Sequence, residues 1–65
     1  MLTDDELRRL LEIHVKSEGS YDAWGRKHGY DTAYIFRVCT GEKAITEEIA
    51  GILGYEKAWV KRKKR

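Results

Sequence analysis

The residues best equipped for bond-making chemistry in this chain are few and poorly spaced for it. His14, His28 and Cys39 are scattered, whereas zinc sites are built from closely spaced Cys and His pairs. A single cysteine makes no internal disulfide. Asp4, Asp5 and Glu6 follow Thr3, which is the pattern of a helix capping box and not of paired catalytic carboxylates. The sequence contains no Ser/His/Asp arrangement, no phosphate-cradling glycine loop and no catalytic cysteine signature. An enzyme is therefore not expected, and neither is a cofactor, a metal or a small-molecule substrate. His14 and His28 are expected near the core, and Cys39 is expected as a small buried apolar residue.

What remains is charge. Residues 56–65 carry six Lys/Arg (Lys57, Lys61, Arg62, Lys63, Lys64 and Arg65) against Glu56, a balance of +5, while residues 1–55 carry seven against ten acids, a balance of −3. A basic arm on a nearly neutral domain suits a polyanion, chiefly nucleic acid, or serves as a solubilising tail.

Something must position these groups, and 65 residues allow one domain. A chain of this size buries only about 60% of its unfolded surface, so the core must come from tight helix packing. No apolar run is long enough to span a membrane and no signal peptide is evident. A reduced, cytoplasmic setting is expected. The expected fold is all-α, a four-helix bundle over residues 1–55 followed by a basic C-terminal arm over 56–65.

Local signals place the helices. Thr3 and Glu6 cap a first helix over about 4–18, with Leu7, Leu10, Leu11, His14 and Val15 as its apolar stripe and Gly19 as its stop. Ile13 falls off that stripe. Ser20 caps a second helix over 21–28, stopped by Gly29. Asp31 or Thr32 caps a third over about 32–39, closed by Gly41. After a loop over 42–45, Thr46 caps a fourth, with Glu47 and Glu48 in its first turn and Ile49, Ile52 and Leu53 as its apolar face. Gly54 ends it. Tyr55 onward reads as a short strand or an extended arm. Trp59 and Val60 either cover the edge of helix one as a fifth element or form a ribbon or patch for a twofold dimer.

The centre of the chain carries a more specific pattern. Two short helices meet at a Gly-Tyr-Asp break, and a turn of this length containing glycine makes a helix-turn-helix. Gly25 allows the next helix to approach closely, and Gly29 can adopt positive φ. Trp24, Tyr30, Ile35 and Val38 then fall where the pair must bury apolar surface against helix one.

The stretch "AWGRKHGYDTAYIFRVCTGEKAITEEIAGILGY" resembles the helix-turn-helix domains of the phage lambda repressor and Cro superfamily. The resemblance covers about residues 20–60. It rests on the small residue, turn glycine and Ile/Val pair at Gly25, Gly29, Ile35 and Val38, on the loop 40–43, and on the closing Leu53-Gly54. Two positions depart from the pattern: Gly25 is usually alanine, and the loop is usually more basic than Glu42 allows.

The resemblance implies a sequence-specific DNA-binding regulator that acts by operator occupancy, with the third helix in the major groove. It implies double-stranded DNA with a palindromic operator as partner, a homodimer, and a bacterial or phage source. The exposed face of the third helix becomes Asp31, Thr32, Ala33, Phe36 and Arg37. Arg37 suits bidentate bonds to guanine, Thr32 can accept or donate, and Ala33 can touch a thymine methyl. Ser20, Tyr21, Arg26, Tyr34 and Lys43 become phosphate contacts, with Lys61, Arg62, Lys63, Lys64 and Arg65 as the basic arm.

Bland roles stand beside these. Arg26 suits an ordinary solvated charge, and Tyr34 can pack on the following loop. Phe36 folds onto helix four, or it faces thymine methyl groups or a protein. A fold does not fix function, so a protein-interaction module, such as an antitoxin or regulator partner, is the second reading. A nonspecific packaging protein is another. A DNA reader should gather Lys and Arg on the third-helix side.

Overall fold

A reciprocal cap opens the first helix. The Glu6 N–H donates to Thr3 Oγ1 at 3.1 Å, and the Thr3 N–H donates to Glu6 Oε1 at 2.9 Å. The Thr3 N–H first, then the Thr3 hydroxyl, lowers the Glu6 carboxyl from its ordinary value. The computed structural model describes residues 2–56 and 59–61. Helix α1 spans Asp4–Glu18, α2 Tyr21–His28, α3 Thr32–Thr40 and α4 Glu47–Ile52. Ser20 Oγ accepts from the Ala23 N–H at 3.0 Å, and Thr46 Oγ1 accepts from the Ile49 N–H at 3.2 Å. Asp31 occupies the cap position of α3 without a side-chain cap bond.

The core is a single apolar cluster. Leu7, Leu11 and Val15 of α1 meet Trp24 of α2, Ile35 and Val38 of α3, and Ile49, Ala50 and Leu53 at the far end. One expectation is corrected here. Ile52 is surface-exposed, because in so short a helix the side carrying Ile49, Ala50 and Leu53 already fills the contact and Ile52 lies about 100° away from Leu53. Ile45 lies in the loop before α4, as expected, and is buried there. Ile13, off the stripe in the sequence, is 63% exposed.

The C-terminal segment folds back onto the body. Strand β1 (Tyr55–Glu56) pairs antiparallel with β2 (Val60–Lys61), with Tyr55 opposite Lys61 and Glu56 opposite Val60. Between them the Trp59 carbonyl accepts from the Leu2 N–H at 3.1 Å, and its indole N–H donates to an Asp4 carboxylate oxygen. Trp59 sits at a φ of 50°, a left-handed conformation that is unusual for a bulky residue. Of the two alternatives left open from Tyr55 onward, Tyr55, Glu56, Val60 and Lys61 form short paired strands, with Trp59 bonded to the start of α1. Lys57 and Arg62, Lys63, Lys64 and Arg65 lie outside the described residues. No helix among the described residues is long and apolar enough to cross a membrane.

Candidate nucleic-acid interface

Helices α2 and α3 are joined by Gly29, Tyr30 and Asp31, and the join is built around one close approach. Gly29 sits at φ 82°. Its N–H donates to the Gly25 carbonyl, and so does the Tyr30 N–H, at 2.7 Å. A Cβ on Gly25 would stand 2.7 Å from the Tyr30 carbonyl oxygen. Glycine at 25, the departure noted in the sequence, is therefore what this turn requires. Aromatic stacking secures it: Trp24 lies on Tyr30 (centroids 6.0 Å apart, 19°) and Tyr30 on Tyr34 (5.8 Å, 24°). Tyr34 thus packs on Tyr30. Burial first, then the nearby Glu48 carboxylate, as a distant acceptor and as a charge, pushes the Tyr30 hydroxyl up to about 12. That hydroxyl has no hydrogen-bond partner among the described residues.

With Ile35 and Val38 turned to the core, Thr32, Ala33, Phe36 and Arg37 fall together on the opposite side of α3. Ala33 and Arg37 are exposed, Phe36 is 49% exposed, and Thr32 is half-buried. The Phe36 ring meets Tyr21 of α2 edge-on, with centroids 5.4 Å apart at 80°. It does not fold onto α4, because the crossing of α2 and α3 sets Tyr21 beside it.

The polar groups on this side are engaged with one another. Thr32 donates its hydroxyl to Asp22 Oδ1 at 3.0 Å, and the other oxygen of Asp22 takes Arg26 Nε at 3.1 Å. Arg37 Nε lies 3.6 Å from Glu42 Oε2. Lys43 is exposed, and its backbone N–H donates to the Arg37 carbonyl. Tyr21 donates its hydroxyl to Glu12 Oε2 of α1 through a long bond of 3.4 Å. Burial first, then the charges of Cys39 and Glu12, raise that hydroxyl above its ordinary value. The group expected to meet phosphate at Tyr21 is therefore directed at α1, as the Ser20 oxygen is directed at the Ala23 N–H.

The charge balance on this side is even. Arg26, Arg37 and Lys43 face Asp22, Asp31 and Glu42 among the described residues. The basic concentration expected of a groove-facing helix is thus absent from α3 itself. Asp22 is the residue that sequence reasoning passed over. Its i,i+4 relation to Arg26 is legible, but its bond to Thr32 crosses the turn and carries no local signal.

A concavity of about 230 Å³ lies between the first half of α1 and the end of α3, lined by Asp5, Arg8, Arg9, Glu12, Cys39, Thr40 and Gly41. Two arginines and two carboxylates leave it without net charge. Arg8 donates to Asp5 at 3.0 Å, and its Nε is buried without a partner among the described residues. Cys39 is half-buried, and burial pushes its thiol up to about 11. This is the setting of an unreactive thiol.

Comparison with family models, with curated proteins and with solved structures finds no match for this chain.

Proposed function

We propose that the chain is a sequence-specific DNA-binding regulator of the Cro/repressor type. In this reading α2 and α3 act as a helix-turn-helix, and α3 enters the major groove. The observation that carries the reading is the shared face of Thr32, Ala33, Phe36 and Arg37, set on a helix whose opposite side is locked to the core. That face combines a forked donor, a hydroxyl and apolar surface, which is the chemistry that reads guanine edges, amino groups and thymine methyls. Arg26, Lys43 and the Lys/Arg of 61–65 supply phosphate contacts. Ser20 and Tyr34 are assigned further phosphate contacts in this reading. A homodimer on a palindromic operator, in a bacterial cytoplasm, completes the proposal, because one small module has a modest contact surface and pairing adds affinity and register.

A second reading is favoured by a specific observation. Arg26 and Arg37 are both ion-paired, and the exposed Phe36 ring, backed edge-on by the half-buried Tyr21, precedes Arg37 on α3. A neutral surface with an aromatic centre suits a protein partner. Fluorescence-anisotropy titration against DNA enriched from a random pool and against scrambled controls, at two salt concentrations, separates the readings. Preference for one palindrome that survives raised salt supports the regulator. Weak binding equal for all sequences, abolished by salt, overturns it and leaves the protein-partner reading.

A further inference from the structure

The bond from Thr32 to Asp22 has a consequence for what Thr32 can read. A hydroxyl carries one donor and two acceptor sites, and a carboxylate accepts only. The Thr32 proton is therefore committed to Asp22 Oδ1, 3.0 Å away. What Thr32 has left to offer a ligand is its lone pairs. Asp22 is itself held, since its other oxygen takes Arg26 Nε at 3.1 Å from the next turn of the same helix. The polarity of Thr32 is thus set from α2, across the turn, before any ligand arrives.

From this geometry we infer that Thr32 is an acceptor-only specificity residue that selects a base presenting an exocyclic amino group, adenine or cytosine, with Asp22 as its positioning residue. The inference rests on the DNA-binding reading above. In the major groove the only donors are adenine N6 and cytosine N4, while guanine O6 and thymine O4 accept. Every base pair contains one amino and one keto base, so the choice appears as an orientation. At the pair below Thr32, A·T and C·G with the amino base on the same strand are interchangeable. Their inversions, T·A and G·C, bring a keto oxygen against the threonine lone pairs and are rejected. This division is neither purine against pyrimidine nor A·T against G·C, so it is distinguishable from ordinary groove-width or stacking preference.

Asn at position 22 removes the constraint. Its amide can donate to the threonine oxygen as well as accept from it, which frees the hydroxyl proton to meet a keto group. Both side chains are surface-accessible, and the substitutions Thr32→Val and Asp22→Asn preserve shape.

The test is selection from randomised duplexes with the full chain and with Thr32→Val, Thr32→Ser and Asp22→Asn, followed by titration of the four base pairs at the position whose preference Thr32→Val abolishes. Expected for the parent chain and Thr32→Ser is equal binding of A·T and C·G in one orientation and a loss of roughly fivefold or more on inversion, the scale of one mismatched pair. Asp22→Asn should lose the distinction between orientations, while the carboxylate removed beside Arg26 tightens binding to all four pairs alike. A parent chain with no sequence preference overturns the DNA-binding reading and this inference together. A parent chain that selects a sequence while Thr32→Val selects the same one, or while Asp22→Asn keeps the orientation, overturns this inference alone.

Discussion

The carboxylate of Glu42 stands 3.6 Å from the Nε of Arg37, on the side of α3 that faces away from the core. Both side chains are at least half exposed, so the pair adds little to stability. Its effect falls on whatever approaches Arg37. A phosphate or a guanine must compete with a carboxylate already in place. Glu42→Gln should therefore tighten binding to arbitrary DNA and steepen the dependence of log K on log salt by about one, the amount expected for one more neutralised phosphate. An unchanged salt slope would show that Glu42 does not hold Arg37 in solution.

Gly25→Ala tests the close approach of α2 and the turn. Alanine favours a helix interior over glycine by about 1 kcal/mol. Here its Cβ would lie 2.7 Å from the backbone oxygen of Tyr30, which has no freedom to swing aside. Overpacking of this kind costs about 1–3 kcal/mol. A net destabilisation of about 1 kcal/mol is expected, lowering Tm by roughly 4–8 °C for a domain of this size. A rise in Tm would mean that the turn relaxes easily.

Phe36→Ala removes the edge-on contact with Tyr21. Such pairs contribute about 0.5–1.5 kcal/mol beyond their buried area, so a stability loss of about 1 kcal/mol by urea denaturation is expected. If the folded variant also loses preference at one base pair, Phe36 touches bases. Retained preference with reduced stability confines the ring to packing.

Trp59→Phe keeps most of the ring but deletes the donor to Asp4. The expected cost is about 1 kcal/mol, seen as a lower urea midpoint with an unchanged slope. A midpoint equal to that of the parent chain would mean that the ring alone pins the hairpin.

The Cys39 thiol, raised by burial from 9.0 to about 11, should react with alkylating reagents at pH 8 about a hundred times more slowly in the folded chain than in urea. The folded state holds this proton more tightly than the unfolded state does. Below pH 9 the group therefore leaves stability unchanged, and between 9 and about 11 its deprotonation favours unfolding. The Tyr30 hydroxyl, raised from 10.0 to about 12, extends the same trend. Tm measured against pH should be flat through neutrality and fall above about 9.

The helices were legible because their signals are local. Thr3, Ser20 and Thr46 each cap the helix they precede, and the stripe Leu7, Leu11 and Val15 falls at helical spacing. Ile52 was misplaced because burial at the end of a short helix depends on where the neighbouring elements pass, not on spacing. The candidate face on α3 follows from Ile35 and Val38 turning inward. What each member of that face touches did not follow. Asp22 meets Thr32, and Tyr21 meets Phe36, through the crossing of two helices. No periodicity within either helix encodes a crossing angle.

The Leu2–Trp59 seam bears on the timing of folding. Each helix closes its bonds over a few residues, whereas this backbone bond joins positions 57 apart. Its loop-closure entropy is recovered only once the helices are assembled. It should therefore form last and open first, in a partial unfolding that leaves the α1–α3 core intact. In deuterium exchange the Leu2 amide should then equilibrate well ahead of Leu11 or Val38, so that the molecule keeps two clocks, a fast one at its seam and a slow one at its centre.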